Sequence, residues 1–454
     1  MDNRSRWQQV LPAIVSFLLA AGLAGTAVAA TITVNTATDE LNADGDCSLR
    51  EAIQAANTDA AADACAAGSG PDTIILPAGV YVLTLAGPSE DMNKTGDLDI
   101  FSDVTLAGAG SATTLIDGNL KDRVLDLLFN AMGLPATVQI RGVTITGGKT
   151  PPHENGGGLR NFITLSIFDS TVSGNQAKPG GSIFDDGGGI ENLGDLVMGN
   201  CTVNNNAVSN VGGGIHNNGG HLSIRNSTIH ANTGVGGGGL WNTQSGSMDI
   251  NNATISRNLI TNPLGAGIWN DGGGTVRIWN TIVAANTDGS TTFTWPDTKG
   301  FFSSLGHNLI GDGTGSTGFT GPGDQVGTTT LPIDPLLGPL ANNGGPTFTL
   351  ELLLGSPALD AGDPAMPGSG GSACEALDQR GVARPEGPLC DIGAFERKFP
   401  SPPPGDCLPE PPGMTAWWPL DETTGPTAFE SIFSNDGAHI NGPLPLAGMA
   451  AGAL

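Results

Sequence analysis

From residue 156 onward, apolar and polar positions return in two short motifs. The first reads GGGLRN (156–161), GGGIEN (187–192), GGGIHN (212–217), GGGLWN (237–242) and GAGIWN (265–270). The second follows each time: DSTVSGN (169–175), NCTVNNN (200–206), NSTIHAN (226–232), NATISRN (252–258) and NTIVAAN (280–286). Their central apolar residues, Val172, Val203, Ile229, Ile255 and Val283, are spaced 31, 26, 26 and 28 apart, and Ile145 extends the series backwards by 27. Between the motifs lie short alternating segments such as Leu222-Ser223-Ile224 and Val276-Arg277-Ile278. Three- to five-residue strands of period two, divided by Gly and Asn turns at a repeat near 26, predict an all-β chain built as a parallel β-helix. A leucine-rich repeat would show its Leu pattern, and a propeller blade needs roughly forty residues.

Stacking coils at the ~4.8 Å strand spacing turns matching positions into axial ladders. Asn175, Asn206, Asn232, Asn258 and Asn286 form one such series at a turn; Asn161, Asn192, Asn217, Asn242 and Asn270 form another. Asn tolerates the left-handed region and can hydrogen-bond its equivalent one coil away, which accounts for both series without a ligand. The glycines answer corners of positive φ or close coil approach. Asp72–Leu85, Leu98–Leu106 and Thr114–Asp117 read as earlier, less regular coils. A solenoid end must be covered. Cys47–Asn57 supplies an amphipathic helix with Leu49, Ala52, Ile53 and Ala56 on one face, Asp46 as N-cap, and Arg50 and Glu51 solvated or bonded to the cap.

Composition then narrows the function. Lys and Arg number 18 against 44 Asp and Glu, a net charge of −26, which excludes a nucleic-acid binder. Arg4 and Arg6, an apolar run from Val10 to about Ala24, and Ala27-Val28-Ala29 read as a signal peptide over 1–30, and no later run is long enough to span a membrane. In an oxidising compartment, Cys47 with Cys65 and Cys374 with Cys390 are candidate local disulfides. Cys201 aligns with Ser170, Ser227 and Ala253 and reads as a small buried side chain, while Cys407 falls in a Pro-rich linker over 399–413.

Longer segments carry a family resemblance. CSLREAIQAAN followed by PDTIILPAGVYVLTL resembles the CSLREA domain of secreted bacterial β-helix proteins. SLGHNLIGDG (304–313), DPLLGPLANNGGPTFTLELLLGSPALDAGD (334–363) and DQRGVARPEGPLCDIGAFE (378–396) are similar to the choice-of-anchor Q pattern of bacterial surface proteins. The resemblance covers about 31–396 and implies a right-handed β-helix, a secreted or cell-surface location, and no catalytic residues to carry over. It divides the chain into a cap (31–70), the β-helix (71–320) and a choice-of-anchor Q-type region (321–398). Residues 414–454, with Trp417, Trp418, Leu420 and Gly437-Ala438-His439-Ile440, resemble the opening strands of a laminin-G-like sandwich. Such sandwiches need well over a hundred residues, so this one is expected to be incomplete.

Polysaccharide cleavage is the rival reading. Asp185 and Asp186, with Glu191, Asp195 and Arg160 on neighbouring repeats, form the best acid-plus-Arg group for a lyase or hydrolase acting on acidic glycans. A polygalacturonase would order NTD, DD, GHG and RIK; here DD precedes Asn286-Thr287-Asp288, GHG is missing, and Arg277-Ile278 runs into Trp. His216, His221 and His230 fall in one coil without an acidic or Cys ligand at metal spacing, and read as exposed or cap-bonded. No cofactor is expected, and Ca2+ has no motif to support it. The expectation is a secreted, non-catalytic, adhesin-like β-helix stalk or scaffold whose partner is an extracellular polysaccharide or a surface molecule.

Overall fold

The computed structural model describes residues 29–398 except 88–89, 131, 153, 178–185, 262–264 and 288–296, and beyond them the strands Thr427–Ala428 and Gly437–Ala438, which pair antiparallel. The expected signal peptide, the expected linker with Cys407, Trp417, Trp418 and nearly all of the expected sandwich therefore lie outside the described residues.

The repeats coil into a parallel β-solenoid with three long sheets. Each regular coil begins with a strand on sheet 1, such as Leu159–Asn161. It turns onto sheet 2 (Thr164–Phe168), then sheet 3 (Thr171–Ser173), and in four coils a two-residue strand of a fourth sheet follows, such as Gln176–Ala177. Sheet 1 has nine strands, sheets 2 and 3 ten each. Matching residues pair in strict parallel register: Leu159, Ile190, Ile215, Leu240 and Ile268 stack inward on sheet 1, and Val172, Val203, Ile229, Ile255 and Val283 on sheet 3. All of them are buried in one continuous core.

Both Asn series are ladders. The Nδ2 of Asn175 donates to Asn206 Oδ1 (3.0 Å), and the pattern passes through Asn232, Asn258 and Asn286 to Asp297 Oδ1 (2.8 Å). Each Oδ1 also accepts the backbone N–H of the preceding rung, as Asn232 does from Asn206 (3.0 Å). The second ladder runs from Asn161 through Asn192, Asn217 and Asn242 to Asn270, and ends on the Phe301 carbonyl. Left-handed backbone is not the reason for these Asn. In the first ladder it falls on the preceding residue: Gly174, Asn205, Ala231, Arg257 and Ala285 have positive φ. A second left-handed column, Asp169, Asn200, Asn226, Asn252 and Asn280, follows sheet 2. The glycines meet both expected needs: Gly187 has φ 66°, and a Cβ on Gly188 would lie 2.5 Å from the Gly213 carbonyl one coil on.

Helix α1 (Leu49–Thr58) covers the first coils, and Leu49, Ala52, Ile53 and Ala56 join the solenoid core. Its N-cap is Ser48 rather than Asp46, in a capping box with Glu51. Nor are its two charged residues solvated. Glu51 is fully buried, accepting the backbone N–H groups of Ser48 (3.0 Å) and Asn42 (2.9 Å). Arg50 is buried against Asp39 (2.7 Å) and donates to the carbonyls of Gly96 and Asp97. Glu51→Ala leaves the buried Ser48 N–H without its acceptor, so the urea midpoint should fall by the equivalent of about 2 kcal/mol, while Glu51→Gln should recover part of it.

Cys47–Cys65 and Cys374–Cys390 are disulfides, and Cys201 is a buried free thiol whose pKa burial pushes up to about 12. After the last coil, the chain folds back along the outside of sheet 3 through the antiparallel pair Leu337–Ala341 and Thr349–Leu352. Gln379 fastens that return: it donates to the Cys201 carbonyl (3.1 Å) and Thr347 Oγ1 (2.8 Å) and accepts from Thr228 Oγ1 (2.7 Å). Asn252 and Asn280 donate to the carbonyls of Gly393 and Ser372, tying the left-handed column to the same segment.

Candidate functional site: the outward strip of sheet 1

A three-residue strand has one outward position. On sheet 1 the paired register stacks those positions in the order Asp99, Asp126, Arg160, Glu191, His216, Trp241, Trp269 and Lys299. Five of them are the variable fifth letters of the GGGLRN-type motif. Where every other position repeats, these carry acid, base and aromatic groups in sequence.

Rings at strand spacing stack face to face. His216 lies against Trp241 with centroids 4.2 Å apart and planes 16° apart, Trp241 against Trp269 at 5.5 Å, and Lys299 Nζ stands 6.0 Å from the Trp269 ring. Glu191 closes the other end, with Oε2 2.6 Å from His216 Nδ1 and Oε1 accepting from Asn218 (3.0 Å). The Glu191–His216 contact is too oblique for a directed hydrogen bond. His216 Nε2 and Trp241 Nε1 are buried with no hydrogen-bond partner.

Asp186 Oδ2 is 3.8 Å from His216 Nδ1, and its Oδ1 accepts from Asn210 (2.7 Å). Burial, reinforced by Glu191 and opposed by His216, pushes Asp186 up to about 6. Arg160 does not join it: its guanidinium binds Asp126 (Nε–Oδ1 3.1 Å) and lies 5.0 Å over the Phe162 ring. Asp185 lies outside the described residues. The acid-plus-Arg group expected from sequence thus divides into an Asp186–Glu191–His216 cluster and a separate Asp126–Arg160 pair.

The three His residues of one coil stand on three sheets. His221 is on sheet 2 beside Ser247, and His230 is on sheet 3, held by the Ser256 carbonyl, where burial and Arg257 push it down to about 4. His216 corrects the expectation of an exposed or cap-bonded ring: it is 2% exposed. Beside the strip, a groove of about 390 Å³ runs along the corner of sheets 1 and 2, lined by Phe129, Phe162, Asp195, His221 and Ser247.

No helix among the described residues is long and apolar enough to cross a membrane. No protein-family model and no curated protein matches the sequence. Among solved structures the chain is similar to pectate lyase Pel9A, at 15% identity and a TM-score of 0.40, over 82% of this chain and 98% of that one.

Proposed function

We propose that this chain is an exported, non-catalytic β-helix scaffold that binds a neutral glycan along the outward strip of sheet 1. The observation that carries this reading is the column His216–Trp241–Trp269. Its Trp241 and Trp269 rings are part-exposed on the outside of the solenoid, with the buried His216 ring stacked against Trp241. Sugar rings stack on such faces. The net charge of −26 works against a polyanionic ligand. Export and surface attachment fit the two disulfides and the resemblance to choice-of-anchor Q proteins.

Access and spacing disfavour an inverting hydrolase. Glu191 and His216 are 1% and 2% exposed. The carboxylate oxygens of Asp186 and Glu191 that face His216 Nδ1, at 3.8 and 2.6 Å, are closer together than the ~6.5–9.5 Å that admits the attacking water of an inverting hydrolase.

Calorimetric titration of the full chain with neutral and uronate oligosaccharides tests the reading. A neutral glycan should bind, and Trp269→Ala should weaken it by about tenfold or more. Absence of binding across the panel, or binding indifferent to Trp269→Ala and Trp241→Ala, would sink it. Reducing ends or 235 nm absorbance that appear with the wild type and vanish with Asp186→Ala would replace it with a catalytic one.

A further inference from the structure

We propose that Asp91, Asp99 and Asp126 form a divalent-cation site, selective for Ca2+, on the outside of the first two strands of sheet 1. The site is independent of the glycan reading. Leu98–Ile100 and Leu125–Leu127 pair in register, which sets Asp99 directly beside Asp126. Asp91, on the loop before them, brings a third carboxylate oxygen, and all three lie within 4.8 Å of one another. Carboxylate oxygens sharing one Ca2+ lie no more than about 5 Å apart, so these three are close enough for one ion to bridge them.

Asp99 is the observation that points to a ligand. Its side chain is fully buried; Oδ2 accepts the Asn93 N–H (2.7 Å), and Oδ1 has no hydrogen-bond partner. Asn93 itself carries a second buried oxygen, Oδ1, without a partner.

The surrounding charges leave a deficit of cations. Arg123 is shared among Asp97 (2.8 Å), Asp126 (3.1 Å) and Glu154 (2.9 Å), and Arg160 serves Asp126. Neither reaches Asp99 or Asp91, while Asp97, Asp126 and Glu90 add to the negative field at Asp99. A cation would offset that field and take up the free Asp99 Oδ1, and the exposed Asp91 gives it entry.

The test is calorimetry on the full chain after chelator treatment, titrated separately with CaCl2 and MgCl2. One Ca2+ should bind per chain, more tightly than Mg2+, and raise the thermal midpoint by mass action. Asp99→Asn and Asp91→Asn should each weaken Ca2+ by about tenfold or more. Asp91 is exposed, so its variant reads the site even where Asp99→Asn perturbs folding. Asp46→Asn, in a separate carboxylate cluster with Glu40 and Asp44, should bind like the wild type. The inference is overturned by no Ca2+ heat up to about 10 mM, the weak end of known Ca2+ modules. Undiminished affinity in Asp91→Asn, or loss of Ca2+ binding in Asp46→Asn instead, would overturn it equally.

Discussion

Asn232→Ala should destabilise the solenoid by about 3–5 kcal/mol, among the larger costs a single polar truncation can carry. Asn232 is fully buried and makes four hydrogen bonds. Its Nδ2 donates to the Val203 carbonyl (2.9 Å) and Asn258 Oδ1 (2.9 Å), and its Oδ1 accepts from Asn206 N and Nδ2 (3.0 Å each). Truncation strands the Asn206 backbone N–H inside the core and opens a cavity between coils. No water can reach that donor, so its desolvation cost is felt in full. The denaturant midpoint and hydrogen exchange at Asn206 report the loss. Asn204→Ala, on the outward side of the same coil, should change stability by no more than about 0.5 kcal/mol. Equal effects at both positions would mean that the ladder is ornamental.

Asp297 and Asp391 should together lower stability by roughly 6 kcal/mol between about pH 4.5 and pH 7.5. Burial pushes Asp297 up to about 7 despite hydrogen bonds from Asn286 and Asp312, and pushes Asp391 up to about 7 with help from Glu396. Unfolded carboxyls titrate near 3.9. Between these limits the native state therefore holds protons that the unfolded chain has released, and each rise in pH favours unfolding. The penalty is absent below the unfolded value, grows across the window, and is complete above about 7. Urea midpoints at the two pH values measure it. Asp297→Asn removes its own share and should shrink the difference by roughly 3 kcal/mol; an unchanged difference would place the effect elsewhere.

The solenoid was readable because its register is written in the sequence. Every letter of GGGIEN and its relatives that repeats has one physical duty: Gly for backbone approach, Ile or Leu for the core, Asn for the ladder. The strip on sheet 1 lay in the same motif but in the one letter that does not repeat. A changing residue at a fixed place in a repeat faces outward, and that signal was present in Arg160, Glu191, His216, Trp241 and Trp269. Which of them touch was harder to see. Arg160 sits between Asp126 and Glu191 in register, and only packing decides that it turns toward Asp126. Arg50 was misread because its partners Asp39, Gly96 and Asp97 are contributed by the irregular first coils, where no period places them. The N-cap was displaced from Asp46 to Ser48 because Glu51 sits three residues after Ser48, the spacing a capping box requires.

Both Asn ladders pass their hydrogen bonds in one direction, from donor amide to the acceptor on the next coil toward the C-terminus. An amide can receive a bond on one side and hand one on at the other, so a stack of Asn can in principle grow without limit. Asp297 Oδ1 and the Phe301 carbonyl receive the bond and have no amide to hand it on. Each ladder thus behaves like a polymerising chain that has met a terminating monomer. The length of each ladder is set chemically, by where the next rung brings no amide, while the sheets run on past it: sheet 3 adds the strands Leu309–Ile310 and Gln325–Val326. A repeat inserted after Asn286 would lengthen the first ladder only if it carried its own Asn there, to hand the bond on to Asp297.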